Sequence, residues 1–582
     1  MRKMVCVRPF TVACLLMLST NVATATPVTT TNPGLFTWEV VVNNGDIAPG
    51  TEDETFFSYN QPSINDAGIV VMRARAKASD GGKKSQGQSE NESSGGITSG
   101  IFTRDMSVAN SDIIPVALKG DTVPSPNNLD ATFNEFPAFP RVDAKSNILA
   151  FRAQTKPSWI NSDEERTGQA GVYTADAKTP GSLMTGIRNI SAEDGFSGYL
   201  VPNQTDPTRF EQFPGAPSPT GDIIAFKGNW TTSGDDGVGM TGVYYRDTSD
   251  TNSPVVKIAE RGDLIPDNAV PTSFPSSELP AVFDSTAPPS AAAGKMVFTG
   301  LDNELNPKAG GIFMANLEKD TKLTTVAGFN TSVPGNSGTL NAFGEGLSFD
   351  GRYVGFWAGW GDDTFGKTVS CGADGNASLT ASCNSGSVDG NGEYTFDVKA
   401  HQGIFLADTE KNELYLVAQI GDEIGENGDV LEDFMFWNYS GKPEDKGNSD
   451  EEGEGPRWRS SAFIAIDGDD VAFKGLSSSG EEGIYGAFDV TSGPFDLHTF
   501  LETGWIGDVL DPMATGLDII ALGIERDGFR NGRLAINAGM EKDGASWAGV
   551  YVGTAPVPEP TTMLLFGTGL VGLALVRRRK RK

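Results

Sequence analysis

Histidine is almost absent from this 582-residue chain, which contains only His401 and His498. A hydrolytic triad needs a positioned base beside its nucleophile, and no G-x-S-x-G turn accompanies either histidine. The same shortage disfavours a zinc hydrolase, which needs several nitrogen or sulfur ligands. We expect both histidines to be ordinary strand or surface residues.

Positive charge is also scarce. Lysine and arginine number 45 against 76 aspartate and glutamate residues, which gives a net charge of −31. A chain this acidic repels phosphate backbones, and the body carries no basic stripe, so nucleic-acid binding is excluded. The acidity is typical of a soluble surface; the alternative is cation binding by acidic loops.

Long helical stretches are missing as well. Only 21% of residues are charged, whereas glycine numbers 71 and proline 33. Short Val/Ile/Phe runs alternate with Gly, Pro, Asp and Asn, a pattern typical of strands and turns. The apolar fraction of 38% is enough to form a core. The composition therefore predicts an all-β protein.

The N-terminus has the layout of a secretory signal peptide. Basic residues precede the apolar stretch Phe10–Leu18, and Ala23-Thr24-Ala25 supplies small residues for cleavage. We predict a signal peptide over residues 1–25, followed by a linker over residues 26–37.

The C-terminus has three parts. Val557-Pro558-Glu559-Pro560 ends a predicted linker over residues 554–560, and the uncharged apolar segment Thr561–Val576 follows. A helix rising about 1.5 Å per residue would span roughly 24 Å there, slightly less than a ~30 Å hydrocarbon core. We predict a transmembrane helix over 561–576 and, by the positive-inside rule, a cytoplasmic tail over 577–582. The tail consists of Arg577, Arg578, Arg579, Lys580, Arg581 and Lys582.

This order of Pro558-Glu559-Pro560, a short Gly-rich apolar segment and a basic end resembles the PEP-CTERM sorting signal. The resemblance implies recognition by an exosortase, removal of the tail, and delivery to the cell surface or the extracellular polymer matrix. Gly567–Gly572 also matches G-x-G-x-x-G, but that motif needs a strand before it and a soluble helix after it. We therefore reject a dinucleotide site there.

The body of the chain repeats a short landmark. A glycine, a β-branched residue and then Phe or Tyr recur seven times, with glycine spacings of 71, 71, 69, 92, 80 and 66 residues. A near-regular period of this length predicts a repeat architecture. The glycines are Gly100, Gly171, Gly242, Gly311, Gly403, Gly483 and Gly549.

Three further elements accompany each landmark. An apolar run after a Gly/Asp/Asn turn precedes it, which is a hairpin signal. A third apolar element, such as Val116–Asp121, ends in a Gly-Asp turn, and a fourth strand, such as Ser58–Ile64 or Phe136–Val142, should precede each hairpin turn. Four strands in each of seven repeats predict one seven-bladed β-propeller over residues 38–553. The alternative is two smaller all-β domains or an open array.

The ends of the body predict how the ring closes. The chain opens with the third element, Trp38–Asn43, and ends with the strand Gly549–Val552. We expect the N-terminal strand to complete the last blade and remove a free edge. The turns Ser218–Gly221 and Ser348–Gly351 resemble TolB-like propeller repeats, and Asn65–Val71 is similar to the tandem NxxGxxAF repeat. These resemblances imply architecture and no substrate.

Two cysteines remain after the predicted signal peptide is removed. Cys371 and Cys383 lie twelve residues apart inside Gly359–Lys399, which lengthens the fifth repeat. Because exported proteins mature where disulfides persist, we predict a bridge between them. Loop entropy assigns it roughly 3 kcal/mol of local stabilisation.

Calcium is the one cofactor that the sequence indicates. Asp389, Asn391 and Glu393 place oxygen ligands two residues apart, as in a calcium loop. The downstream bidentate glutamate of a complete loop is missing at the required spacing.

Two functions remain open. The first is an exported surface or matrix protein whose propeller is a non-enzymatic scaffold that binds a glycan or a surface protein. The second is a glycosidase or lyase with two carboxylates about 5–10 Å apart in the propeller mouth. A mouth plugged by side chains would favour the first, and fold alone decides neither.

Overall fold

Seven β-sheets arranged around one axis form the body of the protein. The computed structural model describes residues 30–31, 35–51, 53–78, 98–125, 131–156, 159–160, 166–167, 170–189, 197–233, 237–319, 321–372, 377–387, 392–424, 428–440 and 456–555. The predicted all-β, seven-bladed propeller is confirmed.

The first three blades follow two N-terminal strands, β1 (Thr30–Thr31) and β2 (Thr37–Asn43). The first blade contains β3 (Glu54–Tyr59), β4 (Ser63–Ile64), β5 (Ile69–Ala78), β6 (Thr98–Asp105) and β7 (Ile114–Leu118). The second contains β8 (Thr132–Glu135), β9 (Arg141–Val142), β10 (Ile148–Lys156), the small hairpin β11 (Trp159–Ile160) and β12 (Arg166–Thr167), β13 (Ala170–Asp176) and β14 (Met184–Arg188). The third contains β15 (Ser218–Thr220), β16 (Ile223–Thr231), β17 (Gly239–Asp247) and β18 (Val256–Glu260).

The next two blades include the longest strands. The fourth contains β19 (Ser285–Thr286), β20 (Ser290–Ala292), β21 (Lys295–Leu301), β22 (Gly310–Asn316) and β23 (Thr324–Gly328). The fifth contains β24 (Leu340–Phe343), β25 (Ser348–Phe349), β26 (Tyr353–Ser370), the helix α1 (Ala377–Gly386), β27 (Glu393–Asp408) and β28 (Glu413–Gln419).

The last two blades complete the ring. The sixth contains β29 (Glu423–Ile424), β30 (Asp429–Asp433), β31 (Phe436–Ser440), β32 (Arg457–Ser461), β33 (Ile464–Asp467), β34 (Asp470–Ser477), β35 (Glu482–Ala487) and β36 (His498–Glu502). The seventh contains β37 (Asp518–Gly523), β38 (Phe529–Arg530), β39 (Arg533–Lys542) and β40 (Ala545–Thr554). Short 3₁₀ turns lie at Ser197–Tyr199, Asp267–Ala269, Ser276–Glu278, Gly507–Val509 and Pro512–Ala514.

The innermost strand of most blades is split in two. In the first blade β3 and β4 both pair with β5, and in the second β8 and β9 both pair with β10. The predicted fourth strands therefore begin earlier than Ser58 and Phe136 and are interrupted. Prolines lie in the inner segment of the first four blades, and proline cannot donate to a ladder. These prolines are Pro62, Pro137, Pro140, Pro214, Pro217, Pro219, Pro288 and Pro289.

The inner halves form the wall of the central axis. The short strands β4, β9, β15, β20, β25, β33 and β38 each contact their two neighbours around the ring. Their residues are small or polar at the axis, including the buried Ser63, Ser218, Ser290 and Ser348. The strands β9 and β38 contribute larger buried side chains there, Arg141 and Arg530.

The N-terminal strand closes the ring as predicted. β2 pairs antiparallel with β40, from Thr37 opposite Thr554 to Asn43 opposite Gly549. The buried carboxylate of Asp511 accepts hydrogen bonds of 2.8 Å from the Asn43 side-chain amide and from the Trp547 indole. The first strand is therefore tied to the last blade by backbone and side chain.

All seven glycine landmarks lie on the third strand of a blade. At Gly242 a Cβ atom would stand 2.7 Å from the Tyr244 hydroxyl, because the ring two residues on lies back over the glycine. That hydroxyl donates to Glu260 on the outer strand at 3.0 Å. The same geometry holds for Tyr173, Tyr485 and Tyr551 over their glycines, so the landmark packs an aromatic ring against bare backbone.

The hydrophobic core lies between blades. Val70 and Met72 of β5 pack on the seventh blade, with Val550, whereas Val71 packs on the second blade, with Leu149. Alternate residues of one strand thus face two neighbours, which explains why an isolated blade cannot bury both of its faces.

Insertions in the fifth and sixth blades form a lobe. The outer ends of β26 and β27, the helix α1 and the hairpin β31–β32 pack together, and Phe396 stacks on Trp437 with ring centroids 4.4 Å apart. A disulfide joins Cys371 at the end of β26 to Cys383 of α1. We call these segments the lobe.

Candidate functional site

Charged side chains fill the central axis. Arg141 of β9 donates to Asp527 at 2.5 Å, to the Pro289 carbonyl at 2.9 Å and to the Ser290 hydroxyl at 3.0 Å. Arg530 of β38 donates to the other oxygen of Asp527 at 2.9 Å. We call Arg141, Asp527 and Arg530 the axial plug; their exposed fractions are 0%, 4% and 2%.

The axial plug connects blades on all sides of the ring. Arg530 also donates to the carbonyls of Phe349 and Ile466, in the fifth and sixth blades. The backbone carbonyl of Asp527 accepts from Ile64 of the first blade at 2.9 Å. Together with the contacts of Arg141 to the fourth blade, these bonds reach six of the seven blades.

The electrostatics of the plug fix its protonation. Burial opposes ionisation of Asp527, but Arg141 and Arg530 outweigh it and hold the pKa of this carboxyl below its usual range. Burial lowers the pKa of Arg141, although Asp527 offsets part of the effect. A carboxyl held ionised between two guanidinium groups cannot serve as a general acid near neutral pH.

A polar groove lies where the third and fourth blades meet. It has a volume of about 370 Å³, and its lining residues are all polar or charged, including Lys227, Asn229, Thr241, Asp284, Glu304 and Arg457. Strands β16 and β17 supply the first three, the start of the fourth blade supplies Asp284, and Arg457 reaches in from β32 of the sixth blade. We call this the blade 3–4 groove.

Both acids of the groove have basic partners. Asp284 pairs with Arg261 at 2.8 Å, and Glu304 pairs with Arg457 at 3.4 Å. Thr241 lies 3.4 Å from the Thr286 hydroxyl. The ammonium of Lys227, in contrast, makes no hydrogen bond or ion pair with any residue that the structure describes, and the buried side-chain oxygen of Asn229 has no hydrogen-bond donor.

The lobe positions Arg457 in this groove. One face of the β31–β32 hairpin, with Trp437 and Trp458, packs on Phe396 and Tyr394 of β27. Arg457 pairs with Ser440 at the far end of the hairpin. The lobe therefore carries a cation from the sixth blade to the junction of the third and fourth.

Three carboxylates cluster in the sixth blade. Oxygens of Asp469, Asp470 and Asp489 lie within 4.8 Å of one another. Asp469 accepts from the Thr491 hydroxyl at 2.5 Å, and Asp470 accepts from the Asp489 amide at 2.8 Å. Burial, with the nearby carboxylates Asp467, Asp489 and Asp469, raises the pKa of Asp470 to about 6. Cation binding would relieve that repulsion.

Of the calcium ligands predicted from the sequence, the structure places one. Glu393 begins β27 with an exposed side chain, whereas Asp389 and Asn391 lie outside the described residues. His401 is half exposed, stacks on Trp360 and lies 3.9 Å from Asp363; His498 lies beside Phe488. Neither histidine touches the axial plug or lines the groove.

Pro558, Glu559 and Pro560 and the basic cluster Arg577–Lys582 also lie outside the described residues, as does the predicted transmembrane segment. Among the helices that the structure describes, none has the length and apolarity needed to cross a membrane.

Sequence reasoning singled out no residue of the plug or the groove. Arg141 and Asp527 are 386 positions apart, and Lys227 and Arg457 belong to different repeats. One signal was available, since Arg141 is a charge within the Pro- and Phe-rich inner segment Phe136–Val142. Its partners, however, follow only from the closed ring.

A family model for the PEP-CTERM protein-sorting motif matches residues 556–580. The chain thus carries this sorting motif, which implies export to the cell envelope or surface and exosortase-type processing. No curated protein matches the chain.

Several solved structures are similar to it. A protein of unknown function from Dyadobacter fermentans DSM 18053 is 9% identical, with 90% of this chain and 100% of that chain covered and a TM-score of 0.28. An α-L-arabinanase from Penicillium chrysogenum complexed with arabinobiose is 14% identical, covering 56% and 81%, with a TM-score of 0.23. A β-fructofuranosidase from Microbacterium saccharophilum K-1 is 11% identical, covering 69% and 78%, with a TM-score of 0.20. Likenesses this distant assign no activity to this chain.

Proposed function

We propose that this chain is a cell-surface or extracellular-matrix protein whose propeller is a non-enzymatic scaffold for binding a glycan or a surface protein. The sorting motif at residues 556–580 supports the proposed location. The non-enzymatic part of the proposal depends on the axial plug, because the plug occupies the centre of the ring with side chains that pair with one another.

The two ends of the chain serve delivery in this proposal. Residues 1–25 direct export and are removed. Residues 561–576 then hold the chain in the membrane, with the basic residues 577–582 on the cytoplasmic side, until an exosortase cuts near Pro558-Glu559-Pro560. The propeller is left outside, where the Cys371–Cys383 disulfide persists.

The carbohydrate-active alternative is not favoured by the axis. A glycosidase needs one carboxyl protonated as general acid and a second one ionised. Asp527 is held ionised by two arginines, and the groove carboxylates Asp284 and Glu304 are each paired with an arginine. Asp527 is therefore not placed to give up a proton, and both groove carboxylates already face a cationic partner.

A panel of neutral and acidic polysaccharides tests the proposal. We expect the purified protein to retain one or more members of the panel on a pull-down and to release no new reducing ends during prolonged incubation. Cleavage that disappears when one Asp or Glu is replaced would overturn the non-enzymatic assignment.

A triple substitution tests the proposed sorting role of the C-terminal tail. Replacing Pro558, Glu559 and Pro560 together by alanine should block tail removal, so that the uncut chain accumulates in the membrane fraction. Val557→Ala, next to the motif, is the matched control and should be processed normally. Normal processing of the triple variant would contradict the sorting role.

A further inference from the structure

The blade 3–4 groove contains two polar groups that the protein leaves unpaired. The Lys227 ammonium lacks a hydrogen-bond or ion-pair partner among the described residues, and the buried Asn229 oxygen accepts nothing. An unpaired buried polar atom costs free energy. The Asn229 oxygen bears that cost, and the half-buried Lys227 borders the same open cavity, so one ligand there would supply what both groups lack.

The charges of the groove define one half of that ligand. Asp284 is neutralised by Arg261 and Glu304 by Arg457. Among the described charges that line the groove, Lys227 is then the one without a counter-charge, and it favours an anionic group beside it although the chain has a net charge of −31. Distant acidic residues oppose an anion weakly, because charges more than about 8 Å away are screened at physiological ionic strength.

The neutral groups define the other half. An amide such as Asn229 can present oxygen or nitrogen, and a hydroxyl group serves either because it both donates and accepts. The volume of about 370 Å³ lies in the range of small-ligand sites. The polar lining excludes a chiefly apolar ligand. These constraints describe a small, hydroxyl-rich molecule with one anionic group, such as a carboxylate.

We propose that the blade 3–4 groove binds acidic sugar units, with Lys227 pairing the sugar carboxylate and Asn229 bonding a ring hydroxyl. This deepens the proposed scaffold function by naming its ligand class. Arg457 closes the groove from the lobe, with its guanidinium on Glu304.

Calorimetric titration of the purified full chain with glucuronate and with glucose tests this directly. The two sugars differ by a carboxylate, and a hydrogen bond to a charged group corresponds to about a tenfold or larger gain in affinity. We expect glucuronate to bind at least that much more tightly than glucose. Equal affinity, or no binding of either sugar, would overturn the proposal without any variant being made.

Variants then assign the residues. Lys227→Met should lower the affinity for glucuronate to that for glucose. Asn229→Ala should lower the affinity for both sugars. The control Lys542→Met removes an equal charge from an exposed ion pair in the seventh blade. It should leave the affinities for both sugars unchanged. Unchanged glucuronate binding by folded Lys227→Met protein would place the site elsewhere and end this assignment.

The outcomes separate this site from the scaffold function. Binding of glucuronate followed by cleavage of a polyuronate would support the groove and overturn the non-enzymatic function. If acidic sugars do not bind but another member of the polysaccharide panel is retained uncut, the assignment of the groove is wrong and the proposed scaffold function still holds.

Discussion

Single glycines decide how tightly each blade can pack. A Cβ at Gly242 would meet the Tyr244 hydroxyl at 2.7 Å and the Ala259 carbonyl at 2.8 Å. The backbone carbonyl cannot move without breaking the ladder, so we predict that Gly242→Ala lowers the free energy of unfolding by about 1–3 kcal/mol. Urea denaturation measures the loss.

Gly239 is the matched control for this substitution. It lies on the same strand, and a Cβ there would meet nothing within 4 Å. Gly239→Ala should therefore leave stability nearly unchanged. Equal effects of the two substitutions would mean that backbone freedom, and not the ring lying over Gly242, explains the repeated glycine.

Asp470 makes the sixth blade sensitive to pH. Its pKa in the folded protein is raised to about 6, chiefly by burial, so the fold loses stability as the pH rises from the ordinary carboxyl pKa to about 6, and the loss is complete above that value. We predict that Asp470→Asn raises the melting temperature at pH 7 and that the gain shrinks as the pH falls from 6 towards 4. The asparagine can still accept from the Asp489 amide.

Scanning calorimetry between pH 4 and pH 8 provides the measurement. Asp222→Asn, on an exposed turn of the third blade, removes one charge without removing a buried carboxylate. It should show no comparable pH-dependent gain. A constant difference between Asp470→Asn and the unmodified protein across this range would contradict the raised pKa.

At the scale of elements, the disulfide is a covalent link within the lobe. The disulfide joins α1 to the end of β26, and closing such a loop contributes roughly 3 kcal/mol locally. We predict that replacing Cys371 and Cys383 by serine speeds amide exchange in α1 on the order of a hundredfold. Amides of β16, measured in the same sample, should keep their protection. Equal loss in α1 and β16 would mean that the disulfide stabilises the whole propeller.

The strands could be predicted from the sequence, whereas contacts between repeats could not. Gly242-Val243-Tyr244 marks a strand because its glycine and its ring pack on each other two residues apart. The same contact recurs at Gly100, Gly171, Gly483 and Gly549, and all seven landmarks lie on strands. The prolines that split the inner strands were visible, but their effect depends on which ladder edge they occupy. Phe396 and Trp437 lie on separate insertions, and their stacking follows from how two blades adjoin. Lys227 and Arg457 also belong to different repeats, so the sequence does not predict that they line the same groove.

The whole molecule is closed at two places. At the rim, β2 completes the seventh blade, and Asp511 ties Asn43 to Trp547. At the centre, the axial plug bonds to six blades. Rim closure could be anticipated because it joins the two ends of a repeat. The plug could not, because Arg141 and Asp527 meet only when the ring is complete.

The plug makes the stability of the entire ring depend on one carboxylate. Asp527→Asn keeps the shape of the side chain but leaves Arg141 and Arg530 as buried cations without a counter-charge. Removing one partner of a buried ion pair costs about 3–5 kcal/mol, and we predict a loss of that size in urea denaturation at pH 7. Because the folded-state pKa of Asp527 is depressed, its contribution is complete above the ordinary carboxyl pKa and is lost as the pH falls through the depressed value.

The control for the plug is a surface pair of the same blade. Asp518 pairs with Lys542 at 3.3 Å, with both side chains substantially exposed, and Asp518→Asn should cost less than about 1 kcal/mol. The two substitutions should therefore differ several-fold at pH 7, and the effect of Asp527→Asn should fade in strong acid. If Asp527→Asn unfolded at the same urea concentration as Asp518→Asn, the ring would be held by its blade interfaces and the β2 closure, with the plug merely filling space.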